Sequence, residues 1–190
     1  IIEKSLTDLK KQKAKEKFIN ILSELNKIPN PVLGNNKNEI TIFEFFDYNC
    51  GYCKSVLEGL LNVYNNDKKI SIVFVELPIL SDSSIIASVA ALAAHRQNQY
   101  TNFHIKLMRH KGKIDEKVLF DIAGSLDLDL SKFKNDFSNG ELMSIVDQNR
   151  EIAKKLNLRG TPAFIIGNSV YPGAMREEDI INAIKFERKK

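Results

Sequence analysis

The chain has 190 residues, 43% of them hydrophobic and 27% charged, which fits one globular domain with an appended segment. No apolar run approaches the roughly 18 to 20 residues that cross a bilayer, so the composition predicts no transmembrane helix. The net charge is +4, and residues 1–30 contribute +3 of it through seven lysines and four acidic residues. The remainder is nearly neutral, whereas a nucleic-acid binder usually carries a basic stripe on its folded body. Nucleic acid is therefore not an expected partner.

Residues 1–30 predict an N-terminal helical segment. Helix formers run from residue 2 to residue 28 without Gly or Pro, and the apolar residues Ile2, Leu6 and Leu9 are spaced by four and three. The lysine-rich stretch that follows is predicted to be a solvated helix face. The apolar positions of residues 1–25 are candidate contacts between copies of the chain, unless they dock on their own domain. The first residues show no signal-peptide pattern, which is typical of a mature product or of a fragment.

Residues 31–190 predict an α/β domain. Two nearly continuous apolar runs, Ile40–Tyr48 and Ile70–Leu77, are typical of strands buried on both faces, and the segment between them is helical. Strand, helix and parallel strand make a βαβ unit. A helical insertion at about 82–158 follows, with patterns at 83–110, 115–126, 130–137 and 142–158. A hairpin around Gly167-Asn168 and a last helix complete the domain.

The only two cysteines, Cys50 and Cys53, stand at the predicted junction between the first strand and its helix. A thiol at a helix N-terminus faces unpaired backbone N–H groups and the positive end of the helix dipole, and both favour the thiolate. The thiolate is the nucleophile of disulfide exchange, and Cys53 is one helical turn away, close enough to resolve a mixed disulfide at Cys50. This arrangement in a βαβ unit predicts a thioredoxin-like redox site.

Two other interpretations of the cysteine pair are weaker. A zinc site would need partners among the histidines, but fifty residues lie between Cys53 and His104, and no second CxxC motif exists. A purely structural disulfide would close too short a loop to stabilise the fold much. We therefore predict no metal site, and we expect His95, His104 and His110 to be surface or helix residues.

Two further positions are candidate members of the site. Thr161-Pro162 precedes a strand, where proline donates no ladder hydrogen bond, and X-Pro is the only common place for a cis bond. A cis bond there, beside the cysteines, would leave the Thr161 backbone free to pair with an extended substrate. Glu44 lies within an apolar strand, on the side of Ile42 and Phe46. A buried carboxylate there would have a raised pKa and could shuttle the proton of Cys53; the alternative is an exposed residue at the sheet edge.

The strand ending EFFDYNCGYC, the late Thr-Pro before a strand and the helical insertion resemble the DsbA-like thiol–disulfide oxidoreductases of bacterial envelopes. The resemblance covers about residues 31–190, and the N-terminal helix leading through NPVLGN is most similar to the ScsC-type and Com1-like branch. It implies a thioredoxin fold with a helical insertion. It also implies roles for four residues: nucleophile Cys50, resolving Cys53, cis-proline Pro162 and buried acid Glu44.

Two departures from the well-known oxidases of that family bear on the activity. Gly51-Tyr52 stands where they have Pro-His, and Thr161 stands where they have Val before the cis-proline. Because Tyr52 is a poor cation, the Cys50 thiolate should be less stabilised and the enzyme a milder oxidant. Isomerase or reductase activity is therefore favoured, with substrate contacts expected at Gly51, Tyr52, Thr161 and Pro162.

The resemblance also implies the setting. Expected partners are unfolded or misfolded cysteine-containing proteins and a membrane redox partner, in the periplasm, with a homo-oligomer such as a trimer formed through the N-terminal segment. No cofactor is expected beyond the redox-active Cys50–Cys53 disulfide. Two alternatives stay open: a dithiol oxidase, and an envelope protein whose reduced cysteines bind Cu(I), a soft ion suited to two thiolates.

Overall fold

The computed structural model describes residues 2–35 and 37–190, and side chains from residue 7 onward within those ranges. The strands are β1 (Val32–Leu33), β2 (Ile40–Phe46), β3 (Ile70–Glu76), β4 (Ala163–Ile166) and β5 (Ser169–Pro172). The helices are α1 (Ile2–Leu25), α2 (Gly51–Asn66), α3 (Asp82–His95), α4 (Tyr100–Arg109), α5 (Glu116–Gly124), α6 (Leu130–Ser138), α7 (Met143–Lys155) and α8 (Glu177–Glu187). No described helix is both long enough and apolar enough to cross a membrane.

The five strands form one mixed sheet in the order β1-β3-β2-β4-β5. The central strands β2 and β3 run parallel and are joined by α2, which is the predicted βαβ unit, while the other pairs are antiparallel. All of β3 and nearly all of β2 are buried, because helices cover both faces of the sheet. With the helices α3 to α7 between β3 and β4, this is the predicted thioredoxin fold with a helical insertion.

Strand alternation divides the interior into two cores, one on each face of the sheet. The first packs one face of the central strands, including Ile42 and Phe74, against α2, α8 and most of the insertion. The second packs the opposite face, including Phe45 and Val75, against α7 and the end of α1. The first face matters for function, because it carries Glu44 and leads to the cysteines.

The helix α1 divides into a docked part and an exposed part. Ile21 and Leu25 are buried in the second core, so these positions dock on the protein's own sheet. Residues 7–17 are exposed throughout, as predicted for the lysine-rich face, and Leu9 is 52% exposed. The contacts predicted for Ile2 and Leu6 lie outside the described side chains. Ile21 and Leu25 are therefore not free to contact another copy of the chain, and oligomer contacts at the other apolar positions stay a prediction.

Three details differ from the sequence prediction. The helical segment 83–110 breaks into α3 and α4, with Asn98 between them in the left-handed conformation at φ 59°, which Asn tolerates better than most residues. The last insertion helix ends at Lys155, before Asn157 at φ 55°, and not at residue 158 as predicted. The strand β1 was not predicted, since two residues are too short to show an alternating pattern.

Candidate active site

The two cysteines meet at the start of α2 as free thiols. Cys50 is the N-cap residue, and its Sγ accepts a hydrogen bond from the backbone N–H of Cys53 at 3.3 Å. The Cys50 thiol also donates to the carbonyl oxygen of Thr161 at 3.3 Å. Cys50 is 6% exposed and Cys53 is fully buried, so Cys50 is the outer sulfur and Cys53 lies behind it. This geometry suits an attacking thiol followed by a resolving thiol.

The buried Cys53 thiol holds its proton tightly. Burial raises its pKa well above the usual value, and the hydrogen bond with the Cys50 side chain raises it further. Hydrogen bonds involving the Asp47 backbone and the Thr161 side chain act in the opposite direction. Cys53 therefore needs a proton acceptor before it can attack another sulfur.

Thr161 and Pro162 lie beside the cysteines although more than a hundred residues separate them in sequence. The Thr161–Pro162 peptide bond is cis, as the sequence predicts. The ladder between β2 and β4 ends at the pair Phe45 and Ala163, so Thr161 lies beyond the paired part of the strand. The structure thus brings four predicted site residues together: Cys50, Cys53, Thr161 and Pro162.

Gly51 and Tyr52 form the first turn of α2 and face outward. The Tyr52 side chain is 72% exposed, and a Cβ atom placed on Gly51 would meet nothing within 4 Å. Two more large apolar side chains, Ile79 and Leu80, are exposed in the loop between β3 and α3. The substrate contacts predicted for Gly51, Tyr52, Thr161 and Pro162 stay predictions.

Asp47, which the sequence analysis did not single out, ties that loop to the cysteines. Its carboxylate is fully buried and accepts the backbone N–H groups of Ile79 and Leu80 at 2.9 and 3.0 Å. It also accepts the Ser84 hydroxyl at 2.7 Å, while its own carbonyl accepts the N–H of Cys50 at 3.0 Å. One residue therefore holds both the turn before Cys50 and the apolar 79–80 loop. An acid directly after a buried strand was the signal available in the sequence.

Glu44 is buried, at 1% exposure, as predicted. Burial raises its pKa to about 8, and the neighbouring Glu76 carboxyl adds to the rise. Its Oε2 atom is enclosed without a hydrogen-bond partner among the described residues. No hydrogen bond to either cysteine is found in the described part of the chain, so its role as a proton shuttle stays a prediction.

A cluster of buried polar side chains surrounds Glu76 on the same face of the sheet. Oε1 of Glu76 accepts the hydroxyl of Tyr100 at 2.6 Å and that of Tyr48 at 3.2 Å. The Tyr48 hydroxyl also lies 3.0 Å from Nδ1 of His104. His104 is a helix residue, as expected, and its side chain on α4 is fully buried. Burial lowers its pKa to about 3, which keeps the ring neutral.

The zinc interpretation gains no support from the arrangement of ligand-type side chains. The described residues contain no group of three or more His, Cys, Asp or Glu side chains that could hold a metal ion. His104, the candidate partner considered for the cysteines, bonds Tyr48 instead. Cu(I) binding needs only two thiolates and stays a prediction.

Comparison with known proteins places this geometry in a family. A sequence profile of the DSBA-like thioredoxin domain matches residues 41–185. The Na(+)/H(+) antiporter NhaA 1 of Salinispora arenicola is 23% identical over 89% of this chain and 26% of its own length. This chain thus spans about a quarter of the length of the first curated relatives that it matches. The probable disulfide bond formation protein D of Bacillus anthracis is 25% identical over 74% of this chain and 71% of its own.

Solved structures agree with the profile. A thioredoxin-like oxidoreductase from Silicibacter pomeroyi DSS-3 is 34% identical, with a TM-score of 0.83 over 88% of this chain and 97% of the other. Proteus mirabilis ScsC in a compact conformation is 25% identical, with a TM-score of 0.78 over 99% of this chain and 90% of the other. The chain therefore belongs to the DsbA-like thioredoxin domain family, a family of thiol–disulfide oxidoreductases.

Proposed function

We propose that this protein catalyses thiol–disulfide exchange on cysteine-containing client proteins, and that shuffling of wrong disulfides is favoured over the formation of new ones. One observation carries the proposal: Cys50 caps a helix N-terminus with its sulfur on a backbone N–H, and Cys53 is buried directly behind it. A helix N-terminus and its N–H groups stabilise an anionic sulfur, which is the reactive species.

The first step consumes a client disulfide. The Cys50 thiolate attacks one client sulfur, so that a Cys50–client bond forms and the client S–S bond breaks. The other client sulfur leaves as a thiolate. The hydrogen bond from the Cys53 N–H to Cys50 Sγ supports the negative charge before the attack.

The mixed disulfide then has two fates. The freed client thiolate can attack elsewhere in the client and finally return Cys50 as a thiolate, which is isomerisation without net redox change. Alternatively, Cys53 loses its proton and attacks Cys50 Sγ, which releases the reduced client and closes the Cys50–Cys53 disulfide. Because burial raises the pKa of Cys53, this second route needs a proton acceptor. We propose that the acceptor of this proton is Glu44, the buried acid of the strand that leads to the cysteines.

The choice between isomerase and oxidase rests on two sequence departures. Gly51-Tyr52 offers no cation to hold the Cys50 thiolate, and Thr161 before the proline is common in isomerase and reductase relatives. A dithiol oxidase is the second candidate, and it draws support from the name of the Bacillus anthracis relative. The two candidates share the site and differ in redox poise.

The proposed setting follows from the chemistry. Disulfide bonds form and persist in oxidising compartments, and the resemblance is to oxidoreductases of bacterial envelopes, so we place the protein in the periplasm. Its clients would be unfolded or misfolded proteins that expose cysteines. An isomerase must also be kept reduced, which calls for a membrane redox partner, and it gains from several sites on one assembly. A homo-oligomer through α1 would supply those sites.

The test is reactivation of scrambled ribonuclease by the pre-reduced protein. We expect recovery of nuclease activity that Cys50→Ser abolishes, whereas Cys53→Ser should accumulate mixed disulfides with the client. No recovery, together with fast oxidation of a reduced client by the oxidised protein, would establish the oxidase instead. Equal residual turnover in both variants would contradict the roles given to the two cysteines.

A further inference from the structure

A second acid, Glu76, lies in the buried interior and has no part in the steps above. It is fully buried at the end of β3. In the parallel register Glu44 lies opposite Phe74 and Glu76 opposite Phe46, so the two acids are diagonal neighbours on one face of adjacent strands. The Oε2 atom of each is enclosed without a hydrogen-bond partner among the described residues. Two buried carboxyl groups this close oppose each other's ionisation.

Hydrogen bonds make the two acids unequal. Oε1 of Glu76 accepts two phenol hydroxyls, from Tyr100 and Tyr48. A hydroxyl has a single proton, so when Tyr48 donates to Glu76, Nδ1 of His104 donates to Tyr48. This chain of donors ends on Glu76 and favours its charged form. The structure describes no hydrogen bond of that kind at Glu44.

We propose that Glu76 is a positioning residue that acts through Glu44: held by Tyr48 and Tyr100, it takes the negative charge when the pair loses its first proton, and so keeps Glu44 protonated. This inference rests on the proposed function, in which Glu44 exchanges a proton with Cys53. It agrees with the raised pKa of Glu44, to which Glu76 contributes after burial. Burial raises the pKa of Glu76 as well, to about 8, although hydrogen bonds with Tyr100, Ser88 and Tyr48 oppose the rise.

The consequence is control over the lifetime of the mixed disulfide. In closure, the Cys53 thiol gives its proton to the Glu44 carboxylate and attacks Cys50 Sγ; the Cys50–client bond breaks and the client leaves as a thiolate. A protonated Glu44 cannot accept that proton, so closure is slow at neutral pH. In the reverse direction, the protonated Glu44 donates to Cys53 as it leaves Cys50. Glu76 would therefore prolong the mixed disulfide in which the client rearranges.

The other titratable groups around the pair are two phenols, an imidazole, a carboxyl group and the thiol of Cys53. Tyr48, before α2, and Tyr100, on α4, stay protonated because burial raises the pKa of both phenols. His104, also on α4, stays neutral. Asp47, which follows β2, adds repulsion at Glu76. Cys53, on α2, is the group that loses its proton in the closure step. The pH dependence of closure is thus assigned to the two glutamates.

The experiment separates the two sulfur steps with 5,5′-dithiobis(2-nitrobenzoate). Attack by Cys50 on this reagent releases one coloured thiolate, and closure by Cys53 releases the second, so stopped-flow absorbance gives both rates between about pH 5.5 and 9.5. In the wild type, we expect the second rate to rise with a midpoint near the pKa of Glu44, about 8. In Glu76→Gln, the midpoint should fall by about one unit, with about tenfold faster closure below it. The rate of the first thiolate release, which is the attack by Cys50, should be the same in Glu76→Gln and the wild type.

The variants keep the inference separate from the proposed function. Absence of the first phase, or its persistence in Cys50→Ser, would overturn the proposed function. A normal first phase with an unshifted midpoint in Glu76→Gln would overturn only the inference. Tyr100→Phe should shift the midpoint the same way by a smaller amount, and it decides the matter if Glu76→Gln does not fold. The matched control is Asp136→Asn, a buried acid paired with Arg96 and Lys132; an equal shift there would also overturn the inference.

Discussion

Glu44 occupies a strand position whose flanking strand residues on the same face are apolar, and among the described residues its carboxyl has no cationic partner. Its pKa is about 8 in the folded chain, against an ordinary value of 4.5. Between these two values the folded state binds a proton that the unfolded state has lost, so stability falls as pH rises through that window. The acid is therefore costly to the fold, which is the pattern expected of a residue kept for its chemistry.

Replacing this acid should stabilise the protein in a pH-dependent way. Glu44→Gln should match the wild type below about pH 4.5 and become more stable on approach to pH 8, by on the order of 1–3 kcal/mol in the free energy of unfolding. Denaturant unfolding at a series of pH values measures this. The control is Glu58→Gln, an exposed acid paired with Arg109, which should show no such gain. Parallel curves for wild type and Glu44→Gln would contradict the buried titration.

At the scale of secondary-structure elements, the sequence predicted features that stand out within their own segment. A CxxC motif, a Thr-Pro before a strand and an acid inside an apolar run are each visible locally, and so are long apolar strands. Glu76 ends the run ISIVFVE and lies two residues after Phe74. Strand alternation therefore places it on the same face of the sheet as Phe74, and the sequence could have shown this. The roles of Tyr48 and His104 could not be found, because they depend on how α4 docks against the sheet.

The loop between β3 and α3 illustrates the same limit. Its exposed residues Ile79 and Leu80 lie just beyond the predicted strand Ile70–Leu77, and nothing in their own segment marks them as special. Their backbone N–H groups are held by Asp47, whose carbonyl holds the N–H of Cys50. The apolar loop is therefore tied through Asp47 to the turn before Cys50. An exposed apolar surface at that place suits clients that expose their own apolar segments.

We expect Ile79→Ser to weaken the use of protein clients. Losing the contact of one half-exposed apolar side chain corresponds to about 1 kcal/mol, or about a fivefold higher KM for scrambled ribonuclease. The rate with a small aromatic disulfide should not change, because that reagent needs only the sulfur. The matched control is Ile19→Ser on α1, since the two side chains are 47% and 48% exposed. Equal effects of both substitutions would remove the special role of the loop.

On the scale of the whole molecule, the point at issue is what covers the exposed part of α1. Its last turns pack in the second core, and Lys155 of α7 pairs with Glu24 near its end. The side chains of residues 7–17 contact water, and a helix of that length in water is marginal unless something covers its apolar positions. Leu9 is the described large apolar residue of that stretch, and a second copy of the chain would cover it.

We therefore predict that the protein self-associates through α1 and that Leu9→Lys makes it monomeric, as measured by light scattering during size-exclusion chromatography. Gln12→Lys adds the same charge to the same exposed stretch without removing an apolar side chain, so it should leave the assembly intact. Because each site keeps its own cysteines, Leu9→Lys should retain both sulfur steps with the small disulfide. It should lose most of its reactivation of scrambled ribonuclease, since neighbouring sites no longer act on one client. A monomeric wild type, or full reactivation by monomeric Leu9→Lys, would show that isomerisation depends on the single domain and not on assembly.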